Sequence, residues 1–473
     1  MASSPPPSIA RPTRRVATLV GVALLAVSCA SDGDDTALPS TTSTSPSAVD
    51  EAPATTTTAA PTTTSVPDHT FDERPAAVEQ YTTTFVDETR ETPSSGGLAG
   101  DAVRVIDTEI FHPVDDDRGP YPVVVFAHGF GGTPEGAINL IERWAAAGNI
   151  VVAPRFPLSR PDAPAGPDAG DVLGQTGDIS FLITEVTALG AGTGTPLAGL
   201  VDPERIGLIG HSNGAITSVA VAGNTCCQDP RIDAVIEIAG TVQTFPGDGY
   251  DWSAAPPLLV VHGTGDTLVR YDEAIRIFNA AIGPKALLTI DGAQHGAYYS
   301  TSGIGHEATA VVTTDFLWTW LRDDADAAAR LAAEPVFDDA SVTAALDPGD
   351  TTTLELETTA TDRVVGATPL TGLVDGTSVT VTWSGFIEDG TINIVQCSGG
   401  IDPGSDACDL ARAILLRPNP GGDGTSVIEV HTGPIGSGMC GPGIDDCHLA
   451  VNDSGLSDPD ATIYLPLEFI EPE

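Results

Sequence analysis

Ile206-Gly207-Leu208-Ile209-Gly210-His211-Ser212-Asn213-Gly214 decides how the rest of the chain is read. The first four residues form a short apolar strand, and the run 215–222 forms a helix. Between them stands G-x-S-x-G. In isolation, three fixed residues out of five carry little information. Between a strand and a helix they describe a tight turn, in which the glycines let the chain reverse and the serine hydroxyl is lifted to the edge of a sheet. The alternative is an idle serine in a glycine-rich turn. The strand-to-helix setting favours Ser212 as a nucleophile.

A serine hydroxyl attacks only when a base takes its proton. The base expected here is a histidine late in the chain, preceded by an acid. His295 stands in Asp291-Gly292-Ala293-Gln294-His295-Gly296, just beyond an apolar strand at 286–290. Asp266 stands in His262-Gly263-Thr264-Gly265-Asp266, just beyond a strand at 258–261. The chain order is Ser, Asp, His, and all three follow strand ends, so they can meet at one sheet edge. In this reading His295 is the general base, and Asp266 holds its Nδ1–H. His306 is the nearest rival base, and Asp291 is the runner-up acid. His262 reads as a packed strand-end residue and His211 as pointing elsewhere. His69, His112, His431 and His448 read as lying outside the sheet core.

Upstream, Val123-Val124-Val125-Phe126-Ala127 is a buried strand, and His128-Gly129-Phe130-Gly131-Gly132 follows it directly. Glycines there let backbone N–H groups face a developing oxyanion. The expected donors are the N–H of Phe130 and that of Asn213, with His128 structural. Further apolar strands fall at 150–153 and 232–238. Helical patterns fall at 138–147 (closed by Gly148), 179–189, 271–281 and 309–321. Continuous apolar strands alternating with helices predict an α/β fold, with a mostly parallel sheet covered on both faces. The loop 157–177 is rich in Pro, Ala and Asp and is expected to border the cleft.

Twenty Lys and Arg stand against 65 Asp and Glu in 473 residues, giving a net charge of −45. Lys285 is the one lysine. Such a surface repels nucleic acid and anionic lipid, which argues against both as partners. Its plain reading is solubility. Asp115-Asp116-Asp117 lacks a ligand spacing and reads as a solvated turn, so no metal and no cofactor is expected. Arg11, Arg14 and Arg15 precede an apolar run at 16–27 that is too short to cross a bilayer and suits a signal peptide. The run ends Leu25-Ala26-Val27-Ser28-Cys29, which resembles a bacterial lipobox. That resemblance implies lipidation at Cys29 and a membrane-anchored, extracytoplasmic protein; ordinary cleavage with release is the other outcome. Residues 30–68 are Thr, Ser, Pro and Ala with few large apolar groups and read as a disordered tether. Beyond Cys29 the six remaining cysteines fall into local pairs, which suits an oxidising compartment. Cys226 and Cys227 are adjacent; two partly buried thiols are expected rather than a vicinal disulfide.

From about residue 103 to 321 the chain resembles the secreted bacterial esterases of the α/β-hydrolase superfamily. It is similar to cutinase-like polyester hydrolases (PETase relatives), chlorophyllase-like enzymes and platelet-activating-factor acetylhydrolases. The matching pieces are Ala127-His128-Gly129-Phe130, Gly210-His211-Ser212-Asn213-Gly214, Gly265-Asp266 and Gln294-His295. The resemblance implies a carboxylic ester substrate, small or polymeric, cleaved through an acyl-enzyme on Ser212. It also implies an aromatic clamp on the substrate at Phe130. The polyester hydrolases carry a tryptophan shortly after the strand that follows the elbow. Here that stretch is Ala239-Gly240-Thr241-Val242-Gln243, and Trp252 comes about ten residues later as the substitute substrate-binding residue. The competing reading is a surface-binding lipoprotein that keeps the fold without turnover. A lipase, a polyester hydrolase and a peptidase are the alternatives among enzymes.

After residue 321 the composition shifts to acidic and Ala-rich, then Thr-rich, then short alternating strands such as 378–383 and 391–395. That is an all-β sandwich pattern. Thr371-Gly372-Leu373-Val374-Asp375-Gly376, followed by Ile394-Val395-Gln396-Cys397 and Cys408, resembles the neocarzinostatin (macromomycin apoprotein) family. The resemblance implies a seven-stranded immunoglobulin-like sandwich with disulfides Cys397–Cys408 and Cys440–Cys447. It leaves two roles open, a module binding a polymer or cell-surface ligand and a spacer. The expected organisation is an export segment at 1–29, a linker at 30–68, a catalytic domain at 69–325, a linker at 326–362 and a β domain at 363–473.

Overall fold

The computed structural model describes residues 75–471, apart from 96–97, 115–117, 244, 246–248, 356–362, 387–391, 400–406, 410–411, 413, 417–421, 436–437, 445 and 453–461. The export segment, Cys29, the tether and the run Asp115-Asp116-Asp117 lie outside the described residues.

A nine-stranded mixed sheet organises the first part. Its strands are β1 (Ala77–Asp87), β2 (Arg104–Val114), β3 (Tyr121–Ala127), β4 (Ile150–Arg155), β5 (Val201–His211), β6 (Ala234–Ile238), β7 (Leu258–Gly263), β8 (Lys285–Ile290) and β9 (Ala340–Ala345), in the order β1-β2-β4-β3-β5-β6-β7-β8-β9. The six strands from β4 to β8 are parallel. Antiparallel strands close both sides, β2 on β4 and β9 on β8. Consecutive residues of the central strands go to opposite faces. Val123 and Val125 join one core, Val124 and Phe126 the other. The first core takes α2 (Val172–Ala191) and α4 (Tyr271–Ala280) through Leu182, Ile183, Ile277 and Phe278. The second takes α1 (Ile138–Ala146) and α5 (His306–Arg322) through Leu140, Trp144, Phe316 and Leu317. A strand covered on both faces must be apolar on both, which is why these strands read as unbroken β-branched runs.

Three strands and one helix escaped the periodicity. β1 is Ala-Val-Glu-Gln-Tyr-Thr-Thr-Thr-Phe-Val-Asp, mostly exposed at the sheet edge. β2 mixes polar and apolar residues because it pairs with that edge strand. The assignment of 326–362 to a linker needs correction at its front. α6 (Ala325–Ala332) packs on α5, and β9 extends the sheet. The chain then stays bound to α4, since Leu354 exchanges two hydrogen bonds with Asn279, at 2.7 and 2.9 Å. α6 spans only eight residues and β9 mixes Ala, Ser, Val and Thr over six, so neither element announced itself.

The C-terminal part forms separate antiparallel sheets. β10 (Val364–Thr368), β11 (Thr377–Ser384) and, further on, β14 (Gly424–Val430) make a three-stranded sheet. β12 (Ile392–Cys397), β13 (Ile414–Leu416), β17 (His448–Asn452) and β18 (Ile463–Pro466) make a four-stranded one, in the order β13-β12-β17-β18. β15 (Gly433–Ile435) and β16 (Gly438–Cys440) make a two-stranded ribbon. Val379, Val381 and Trp383 share a core with Ile392, Ile394, Leu449 and Val451, so the two larger sheets enclose one hydrophobic centre. Cys397 is bonded to Cys408 and Cys440 to Cys447. Cys226 and Cys227 are also bonded to each other, which corrects the expectation of two thiols there. They sit in the turn that ends α3 (Asn213–Gly223), where the Cys226 N–H is held by Asn224 Oδ1 at 3.0 Å.

Candidate active site

Strands β3, β5, β7 and β8 end at one edge of the sheet, and the loops that follow them carry the site. Ser212 stands between β5 and α3 at φ 55° and ψ −118°. A side chain at that φ is strained and persists only where the surroundings hold it. They do so here. The Ser212 N–H donates to Ile238 O at 2.9 Å, and Ser212 O receives the Ala215 and Ile216 N–H groups at 2.9 and 3.0 Å. The flanking glycines are required by contact. A Cβ on Gly214 would lie 2.1 Å from Ala127 O, and one on Gly210 2.1 Å from Gly214 O. The helix therefore seats directly against the strands that present the serine.

His295 Nδ1 lies 2.7 Å from Asp266 Oδ2. Asp266 is buried, and its other oxygen receives the Leu268 and Val269 N–H groups at 2.8 and 3.0 Å. Burial would raise its pKa, but the hydrogen bonds and charges of His262 and His295 hold it well below the usual carboxylate range. An ionised carboxylate only accepts, so His295 carries a proton on Nδ1. The described residues place no hydrogen bond on the Ser212 hydroxyl. Such contacts are often loose until substrate is bound.

Asp266 has a second histidine. His262 Nε2 lies 3.5 Å from the same Oδ2 and 2.8 Å from Val269 O. A carbonyl only accepts, so His262 Nε2 carries a proton and is aimed between the two oxygens. Glu237 lies behind it on β6. The register pairs Glu237 with Val260, which places His262 one step further along the same face of β7. Glu237 is fully buried; one oxygen takes the Gly240 N–H and the other has no partner among the described residues. Burial, with the charges of Glu273 and Asp266, pushes its pKa up to about 7 against the pull of His262. Sequence reasoning passed over Glu237, although one acid inside Ala-Val-Ile-Glu-Ile was a signal, since lone charges are seldom buried without a role.

His211 does not point elsewhere. Its ring centre lies 4.9 Å from that of His295 and 4.7 Å from that of Tyr299. Burial first, and His295 next, hold it neutral, far below the ordinary imidazole value. His306 donates Nδ1–H to Tyr298 O at 2.7 Å and is buried at the start of α5. Asp291 is exposed. His112 is buried on β2 rather than lying outside the sheet.

The loop after β3 lies against Ser212. A Cβ on Gly129 would sit 3.1 Å from Ser212 Cβ. Gly131, at φ 64°, donates to Ser159 O at 2.8 Å, and Gly132 donates to Gly129 O at 2.9 Å. Among the described residues neither the Phe130 N–H nor the Asn213 N–H donates to a carbonyl. Asn213 opens α3, where the first N–H groups have no partner within the helix. His128 is buried. Its Nε2 accepts the Phe156 N–H at 3.2 Å and its Nδ1 donates to Gly129 O at 2.8 Å, and burial lowers its pKa to about 4. Phe130 is half-buried beside this loop. Trp252 is not at the site, which corrects its assignment to substrate binding. It stacks on Tyr250 at 5.3 Å and packs on Gly223, at the far end of α3. An eleven-residue helix separates it from Ser212 by about 16 Å.

Among the described residues no group of three or more His, Cys, Asp or Glu is arranged to hold a metal ion. The chlorophyllase family model matches residues 107–244, and the neocarzinostatin family model matches residues 365–464. The first stretch contains the loop after β3 and the serine turn, while Asp266 and His295 lie beyond it. No curated protein matches the chain. The central part is thus similar to a hydrolase family, and the C-terminal part is neocarzinostatin-like.

Proposed function

We propose that the chain is a serine hydrolase that cleaves carboxylic esters through an acyl-enzyme on Ser212. The observation that carries this reading is the 2.7 Å contact between His295 Nδ1 and an ionised Asp266, at the sheet edge where Ser212 is held at a strained φ. In the first step His295 Nε2 takes the Ser212 proton while the oxygen attacks the ester carbonyl. The Phe130 and Asn213 N–H groups receive the oxyanion, each worth about 3 kcal/mol of barrier. His295 then returns the proton to the leaving alcohol. Water repeats the sequence on the acyl-enzyme. Phe130 is proposed as the aromatic clamp on the substrate.

The three disulfides support an exported protein. The proposed anchor is a lipid on Cys29, and Cys29→Ser should release the protein from membranes. The C-terminal sheets are read as an immunoglobulin-like sandwich that brings the enzyme to a polymer or cell-surface ligand. Deleting 363–473 should then abolish adsorption to insoluble substrate.

The primary test is hydrolysis of p-nitrophenyl esters from acetyl to palmitoyl, by wild type and by Ser212→Ala. Turnover lost in the variant is the expected result. Equal turnover in both, or none in folded wild type, overturns the reading.

A further inference from the structure

The proline-rich loop after β4 walls a groove of about 170 Å³ at the same sheet edge as Ser212. We propose that this groove is the subsite for an uncharged aliphatic chain of the ester substrate, a proposal that rests on the reading of Ser212 as nucleophile.

One wall is Pro157, Leu158 and Pro164; the other is Leu98 and Val105. Both residues of the second wall are large, apolar and open to solvent, Leu98 at 48% and Val105 at 42%. Val86, the cross-strand partner of Val105, is 47% exposed and extends the patch. Apolar groups gathered at a concave edge mark a binding surface more often than scattered ones do.

The walls are built and tied. The hairpin bearing Leu98 is closed by Thr92 and Asp101, whose backbones exchange hydrogen bonds at 2.9 and 3.0 Å. Ser95 Oγ donates across to Asp168 at 2.7 Å. The Asp168 N–H donates to Leu158 O at 2.7 Å. Buried Asp171 accepts the Leu158 and Ser159 N–H groups at 3.1 Å each and is itself paired with buried Arg104 at 2.7 Å. A groove fixed in this way costs a ligand little ordering on binding.

The wall of the groove is tied to the loop that follows β3. Ser159, between Leu158 and Arg160 of the lining, gives its carbonyl to Gly131, next to the proposed oxyanion donor Phe130. Its volume is below the roughly 300 Å³ at which whole-ligand pockets begin. It therefore suits one part of a substrate whose ester lies at Ser212. Its charges select the class of that part. Asp101 and Asp107 lie on the rim, and Arg160 is engaged by Asp107 at 3.3 Å and Asp162 at 3.4 Å. A carboxylate or phosphate would meet net negative charge, whereas a hydrocarbon chain meets the apolar walls.

The test compares p-nitrophenyl octanoate with the acetate in wild type, Leu98→Asp and the control Val336→Asp, a residue 80% exposed and outside the groove. The octanoate-to-acetate ratio of kcat/KM should fall about tenfold in Leu98→Asp, equivalent to lost contact with roughly two methylenes. The control should keep the wild-type ratio. An unchanged ratio in Leu98→Asp, or parallel losses on both esters, overturns the subsite alone. Absence of Ser212-dependent hydrolysis of either ester by folded wild type removes the esterase reading and the subsite with it.

Discussion

Asp266 Oδ2 faces His295 Nδ1 at 2.7 Å and His262 Nε2 at 3.5 Å, so one carboxylate oxygen serves two imidazoles. The other oxygen is taken by two backbone N–H groups. Four donors around one buried acid leave it no reason to protonate in the working range, and they fix the tautomer of the base.

Asp266→Asn tests that arrangement. The amide oxygen can keep the Leu268 and Val269 N–H groups, but the NH₂ group then faces two donor nitrogens. His295 is forced toward the wrong tautomer. kcat should fall about 10⁴-fold with the fold intact. Steady-state kinetics on p-nitrophenyl acetate beside circular dichroism would check it, and a loss under tenfold would be inconsistent.

Gly129→Ala places a methyl carbon 3.1 Å from Ser212 Cβ and 3.1 Å from His211 Nδ1. Either Ser212 or the loop after β3 must shift by a few tenths of an ångström. The expected loss is about 10- to 100-fold in kcat with KM little changed. A change in KM alone would place the loop in binding rather than in chemistry.

Glu237 gives the fold a pH dependence. Its folded pKa of about 7 exceeds the ordinary 4.5, so the native state binds the proton more tightly than the unfolded chain does. The sign follows: stability is fully present below about pH 4.5 and declines as pH rises through 7. Glu237→Gln keeps the neutral form at every pH. Its unfolding free energy relative to wild type should therefore climb between pH 4.5 and 7, by an amount approaching 3 kcal/mol, read from denaturant unfolding at each pH. A difference that stays flat across this window would show that Glu237 does not titrate there.

The C-terminal disulfides close short loops, with separations of 11 and 7 residues; Cys440–Cys447 lies in the core between the sheets, and Cys397–Cys408 packs with Val395 and Ala450 in a smaller cluster. Replacing either pair by serines should cost the C-terminal part about 2–3 kcal/mol and leave the transition of the nine-stranded part in place. Calorimetry of the full chain would resolve the two.

Residues that act within a few positions of each other were legible without coordinates. The Ser212 turn, the strand-end placement of Asp266 and His295, and the glycine loop at Phe130 each depend on local backbone geometry. Local geometry is written in glycine spacing and in apolar runs. The parallel centre of the sheet was legible for the same reason, because a strand buried on both faces has no polar side to show.

What the tertiary structure alone decided concerns groups far apart in the chain. β1 and β9 pair at the edges through backbone hydrogen bonds, and edge strands need no apolar signature. Trp252 falls at the wrong end of α3, because a loop's path is not encoded by its length. His262 shares Asp266 with His295, and Glu237 stands behind it, because strand register brings β6 and β7 side by side. Register is set by packing across the whole sheet, and no single segment of sequence contains it.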